Sequence, residues 1–362
     1  MRDYRLHLCL ALVLALFLAL NACGGSGGGD DQNDAVNDPA EDPAEETPET
    51  YIITSGYGDQ FFVFSGDSYS MLKKVVPDLT EEMTGVFDAT LVSFLGDDDF
   101  YTVFMTLPQD EYGNAQMFAS AGLTGEELMR LTDIDNPGMG RMVPTGSDGL
   151  LFIAVEAGTL ADVMKMDIMG SEPSSLDLVP PNLPSGAYPC LTTSWQSPAF
   201  SPAGELKAFG YHCKVEEGPE LPSKTAVVAY DRDDDSCGDP LYVVEHYENI
   251  EDVCFTYDAS MVLYSIGQHA ATKRIYARMA NGEDDEAVEL TSAFNDGEIL
   301  NFDCDPSTGR IVFNDREVNP NLYVLEYEIG ESIIITAAAE QISEGGTFRR
   351  PRWVKNPAFG NE

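Results

Sequence analysis

The sequence predicts an all-β fold: a six-bladed β-propeller of four-stranded antiparallel blades, closed by N- and C-terminal strands that share one blade. Three observations predict it. First, turn signals flanked by apolar alternation recur at LGDDDFYTVFMT (95–106), PTGSDGLLFIAV (144–155), FSPAGELKAFGY (200–211), TYDASMVLYSIG (256–267) and DPSTGRIVFND (305–315). Their turn residues Asp99, Gly149, Gly204, Ser260 and Gly309 fall about fifty residues apart. Second, each turn is followed by a strand, a polar turn and another strand, at 116–132, 162–179, 226–244, 274–291 and 321–336. The strands on either side of the first turn raise the count to four per unit, which is what a propeller blade requires. Third, the ends complement each other. Residues 51–75 read as the second, third and fourth strands of a blade, and RRPRWVKNP (349–357) reads as a first strand. Joining them leaves the ring without an open seam, which is the physical reason for splitting a blade between the chain ends.

Ahead of the blades, Arg2 and Arg5 precede an apolar run, Leu8–Leu20, that is too short for a comfortable membrane span and right for the core of a signal peptide. Leu20-Asn21-Ala22-Cys23 follows and resembles a bacterial lipobox, which implies cleavage before Cys23 and attachment of lipid to its thiol. Residues 1–22 are thus read as a lipoprotein signal peptide. Residues 23–50 are read as the lipidated cysteine and an acidic Gly/Pro-rich tether. The stretch after Cys23, GGSGGGDDQNDAVNDPAEDPAEETPET, has nine acidic residues, no basic ones and no apolar periodicity. It cannot bury enough surface to offset its ordering entropy, so a disordered linker is expected. The propeller is expected over 51–357, and 358–362 form a short tail.

The whole chain has 62 acidic and 20 basic side chains, a formal net charge of −42. That balance excludes a phosphate-binding nucleic-acid partner, which would need Lys and Arg, and it disfavours docking on anionic headgroups. Contact with the membrane is expected only through the lipid, and the protein is expected to be a monomer.

The best-preserved phrase, PAFSPAGELKAF (198–209), resembles the Pro-x-Trp/Phe-Ser-Pro-Asp-Gly repeat of TolB-type, WD40-like propellers, with Ala203 in place of the usual Asp. RIVFNDREVNPNLYVL (310–325) resembles the continuation of that repeat, where a polar Arg-containing turn leads into an Ile/Leu-Tyr-Val strand. Pro351 and Trp353 stand where Pro198 and Phe200 stand. The resemblance implies an envelope module that binds a protein or other envelope component rather than turning over a substrate. Gly24, rather than Asp, follows Cys23, which by analogy with bacterial lipoproteins favours the outer membrane.

Catalytic signatures are absent from the sequence: there is no GxSxG, no phosphate-cradling glycine loop and no CxxC, and the three histidines after Cys23 fall in no ligand or nucleophile-base pattern. The competing class is a metal-dependent hydrolase or lactonase with scattered carboxylates at the channel. No cofactor is expected, with calcium the one candidate: Asp231, Asp233 and Asp235 alternate like the opening of a calcium loop. However, Ser236 and Tyr242 stand where the turn glycine and the bidentate glutamate belong, which favours a solvated acidic turn. Five cysteines follow Cys23. Their places on the blades favour a Cys190–Cys213 disulfide and leave Cys237 to pair with Cys254 or Cys304. Finally, Arg349, Arg350, Arg352 and Lys355 gather on the presumed innermost strand of the closing blade. They either meet an anionic group in the channel or neutralise neighbouring carboxylates.

Overall fold

The computed structural model describes residues 48–356 except 57, 80–82, 94–99, 109–115, 133–137, 140–141, 145–148, 156–160, 168–173, 176–186, 191–198, 202–205, 216–223, 232–241, 246–248, 268–272, 282–286, 295–298, 316–318 and 345. The chain divides into two units, Met1–Thr47, which lies outside the described residues, and Pro48–Glu362. Among the described residues no helix is long and apolar enough to cross a membrane.

The second unit is built almost wholly from antiparallel strands. β1 (Thr50–Ser55), β2 (Phe61–Ser65) and β3 (Met71–Val75) form a meander. β4 (Met83–Ser93), β5 (Phe100–Pro108), β6 (Gln116–Ala121) and β7 (Met129–Arg130) form the next sheet. β8 (Gly138–Met139) and β9 (Val143–Pro144) share one flank of β10 (Gly149–Val155), which leads to β11 (Ala161–Asp167) and β12 (Ser174–Ser175). β13 (Ala187–Cys190) and β14 (Ala199–Phe200) likewise share β15 (Leu206–Val215), followed by β16 (Lys224–Asp231) and β17 (Tyr242–Glu245). β18 (Asn249–Phe255), β19 (Met261–Gly267), β20 (Arg274–Met279) and β21 (Val288–Glu289) precede a 3-10 turn at Thr291–Ala293. β22 (Ile299–Cys304), β23 (Arg310–Asp315) and β24 (Leu322–Ile329) follow, with β25 (Ile333–Ile335) and β26 (Glu340–Gln341) both on the outer side of β24. The last strand, β27 (Arg349–Lys355), returns to β1, so the order of that sheet is β27-β1-β2-β3.

Among the described residues six sheets result, and their first strands touch in sequence: β27 meets β4, β4 meets β9, β9 meets β14, β14 meets β18, β18 meets β22, and β22 meets β27. This is a propeller-like ring of antiparallel sheets whose two ends share one sheet.

Burial follows position in the ring. In β19 the first six residues, Met261–Ile266, are all buried, because a second strand is covered on both faces by neighbouring sheets. In β24 the pattern already alternates, and β21, β7 and β26 at the rim are largely exposed. The core therefore lies between the sheets. Tyr51, Ile53, Phe61, Val86, Leu91 and Phe104 fill one interface, and Ile52, Phe64, Val312, Val324, Phe348 and Trp353 fill another.

Two turns show why the repeat carries its particular residues. In the turn after β18, the Asp258 carboxylate accepts from the hydroxyls of Thr256 and Ser260 and from the Ser260 N–H, and Ala259 takes a positive φ of 59°. In the turn before β23, a Cβ on Gly309 would lie 2.1 Å from the Tyr327 carbonyl oxygen, so only glycine fits there.

Cys254 on β18 and Cys304 on β22 form a disulfide with a Cα–Cα distance of 5.7 Å. This corrects the expectation that Cys237 would pair with one of them. Fifty residues apart, the two cysteines hold equivalent places on the first strands of consecutive sheets, and those strands lie side by side. Cys237 lies outside the described residues. For Cys190 and Cys213 the backbone alone is described: Cys190 stands opposite His212 and Cys213 opposite Pro189, one register step apart.

Candidate functional site

The seam where β27 meets its neighbours concentrates the charged chemistry. β27 reads RRPRWVK and is exposed only at its two ends, Arg349 and Lys355. It runs antiparallel to β1, with Lys355 opposite Thr50, Trp353 opposite Ile52 and Arg352 opposite Ile53, and then slips register before Ser55 pairs with Arg349. Pro351 has no N–H to contribute, so a regular ladder cannot continue through it. Arg350 beside it adopts φ 51°, a conformation that costs a bulky residue free energy. The Arg349 carbonyl accepts from the Thr54 and Ser55 hydroxyls at 2.8 and 3.1 Å, which closes the irregular stretch.

The side chains then divide by environment. Arg352 points into the neighbouring sheet, where its Nη2 lies 3.1 Å and its Nε 3.4 Å from the two oxygens of Asp88 on β4. Both side chains are buried, at 5% and 0% exposure, so the pair acts in a low-dielectric setting. Asp88 also accepts from the Met142 N–H at 2.9 Å and so joins three consecutive sheets. Arg350 is buried, with its guanidinium 3.3 Å from the Phe87 ring centroid, a cation–π contact. Partial burial pulls the Arg349 guanidinium below its ordinary value, and it remains a cation at physiological pH.

The other side of β27 repeats the scheme. The Trp353 N–H donates to Asp303 on β22 at 3.0 Å, and its indole N–H donates to the Thr50 hydroxyl at 3.0 Å. Arg310, at the start of β23, lies 4.7 Å over the Trp353 ring. It pairs with Asp305 at 2.5 Å and donates to the Gly66 carbonyl at 2.7 Å. Desolvation works against the Arg310 charge, but the adjacent Asp305 and Tyr69 outweigh it and the pKa rises. One interface away, Asp252 on β18 lies 3.3 Å from Lys273 and accepts from Asn301 on β22 at 3.2 Å, while Lys273 also donates to the Leu300 carbonyl. Asp88, Asp252 and Asp303 thus make a recurring device: a carboxylate on a first strand accepts from a neighbouring sheet.

Of the residues singled out by sequence, β27 brings together Arg349, Arg350, Arg352 and Lys355. Asp231 ends β16 opposite Leu206, whereas Asp233, Asp235 and Cys23 lie outside the described residues. Among the described residues no group of three or more His, Cys, Asp or Glu side chains is placed to hold a metal ion. Sequence reasoning missed Asp88, Asp252, Asp303 and Lys273. For the three aspartates the signal was an acidic residue inside an otherwise apolar first strand, as in VFDAT (86–90), IEDVCF (250–255) and NFDC (301–304).

No protein-family model matches the chain, and no curated protein matches it. Solved structures do. TolB from Acinetobacter baumannii superposes with a TM-score of 0.51 at 13% identity over 84% of this chain and 66% of that one. The chain therefore spans about two thirds of that protein's length. A protein described as TolB from Agrobacterium tumefaciens gives 0.47 at 11% identity, over 82% of this chain and 89% of that one. A puromycin-hydrolysing peptidase of Mycobacterium tuberculosis gives 0.41 at 14% identity, over 70% of this chain and 38% of that one. The fold of this chain is that of the TolB β-propellers.

Proposed function

We propose that the protein is a lipid-anchored, six-bladed propeller of the bacterial cell envelope that binds a protein or other envelope component and has no catalytic role. The observation that carries this reading is the closed ring with the TolB fold. The buried Cys254–Cys304 disulfide supports an exported location, since such bonds persist in oxidising compartments. In this reading Cys23 carries the lipid, the acidic segment spaces the ring from the outer membrane, and each sheet is one blade. Any anionic group at the channel meets Arg349 and Lys355, the exposed ends of β27, because Arg350 and Arg352 are buried against Phe87 and Asp88.

The test is capture from detergent-solubilised envelopes with the full chain as bait, beside a Cys23→Ala form. The expected result is outer-membrane fractionation of the parent, release of the variant to the soluble fraction, and crosslinking of an envelope component to the parent. Soluble parent protein, or hydrolytic turnover that requires an added divalent metal, overturns the reading.

A further inference from the structure

The rim of the sheet that contains both chain ends differs from the other rims. The outermost strands elsewhere are short: β7, β12, β21 and β26 have two residues each, β25 three and β17 four. Short rims are a common defence against unwanted strand pairing. β3 has five residues, and its outer side pairs with no other strand among the described residues. It is also apolar where a rim is usually polar. Met71 is 56% exposed, Leu72 43%, and Val76 just beyond the strand 52%. Leu72 is the extra residue of a bulge, since Phe64 pairs with Met71 and Val63 with Lys73. Between these apolar side chains stand Lys73 and Lys74, both exposed and neither in an ion pair among the described residues. In a chain of 62 acidic and 20 basic residues, two adjacent cations with no ion pair among the described residues form a local reversal of charge.

The geometry points to β3 as a docking edge for an extended acidic segment of a partner protein, which adds a strand beside it and sets carboxylates against Lys73 and Lys74. Backbone pairing along the open edge supplies register, and Met71, Leu72 and Val76 supply apolar contact. The charges select the occupant. A second copy would set lysines against lysines across the new pair, which opposes self-association. An anionic bilayer would meet two lysines on a chain of net charge −42, which repels it as a whole. This surface is separate from β27, so its test stands apart from capture through the Cys23-anchored form.

The experiment is fluorescence anisotropy of the detergent-solubilised full chain with a labelled valine–glutamate octapeptide, Val-Val-Glu-Glu-Val-Glu-Glu-Val, whose adjacent glutamates reach both faces of the strand as Lys73 and Lys74 do. The controls are a valine–lysine octapeptide and a valine–glutamate octapeptide N-methylated at alternate residues. The expected result is saturable binding of the acidic peptide alone, weakened about tenfold in Lys73→Glu/Lys74→Glu and by raised salt. An unchanged melting temperature shows that this variant is folded, and Lys73→Gln/Lys74→Gln serves if it is not. The proposal is overturned by equal binding of the basic or methylated peptide, by unchanged affinity in the folded variant, or by no binding. It is also overturned if Lys73 and Lys74 instead direct binding to phosphatidylglycerol vesicles or a concentration-dependent dimer.

Discussion

Tyr327 illustrates how one buried group ties stability to pH. It is 3% exposed, near the end of β24, with its ring 6.2 Å from that of Tyr257. Burial, reinforced by the nearby carboxylates of Asp305 and Asp258, pushes its phenol above the ordinary value of 10.0, against a smaller downward pull from the Tyr257 backbone. The folded state thus holds this proton more tightly than the unfolded chain does. The associated stability is fully present below pH about 10 and is lost as pH rises through the folded value. In thermal melts from pH 9 to 11, the parent is expected to lose more stability than Tyr327→Phe, which has no proton to release. Parallel curves would remove Tyr327 as the cause. Such a residue was not legible in the sequence, where it is one of 16 tyrosines, because its burial depends on a neighbouring sheet. The arginine cluster on β27 was legible, since four cations in seven residues stand out in an acidic chain. Its engagement was not: Asp88 lies 264 residues from Arg352 and looks like an ordinary polar residue in its own strand.

First strands carry the joints between sheets, and the Cys254–Cys304 bond is a covalent one. It joins β18 to β22 across a separation of 50 residues, so it restricts the unfolded chain as well as fastening the folded one. Cys254→Ser/Cys304→Ser is expected to lose about 2–5 kcal/mol in urea unfolding. Peptide mapping without reduction should recover the two segments as one linked species from the parent. A variant as stable as the parent would mean that the noncovalent contacts of this interface suffice. The repeat period held the answer to this pairing: residues one period apart on first strands become neighbours when the sheets form a ring. The expectation from sequence assigns Cys237 to one of these two cysteines instead. It thus recovered the elements and missed a contact that only their radial arrangement creates.

At the scale of the molecule, stability depends on the seam. The ring is joined through β27 by the β1 ladder, the Arg352–Asp88 pair, the Trp353–Asp303 bond and the Arg310 clamp. Arg352→Ala leaves a buried carboxylate without its cation and is expected to cost about 3–5 kcal/mol. Asp88→Asn/Arg352→Met, which removes both charges, should cost clearly less, as read from urea midpoints at constant slope. If the single and double variants are equally unstable, packing of the arginine stem rather than charge compensation holds the seam. The periodic architecture and the sharing of one sheet between the ends were readable from turn chemistry and apolar alternation, which are local. The Arg352–Asp88 joint was not, because it links residues 264 positions apart.

The same shared sheet has a consequence in time. Thr50 and Trp353 are 303 residues apart, so β1 is made long before the strand that covers its inner side. At about 5–20 residues per second, roughly 15–60 s of synthesis separate them. Throughout that interval the nascent chain carries a bare, apolar strand flank, which must be kept from pairing with other chains. The burden falls on the holding factors of the cell, and a slower ribosome lengthens it. Yield in living cells is therefore set by the wait for the last strand as well as by the strength of the finished ring.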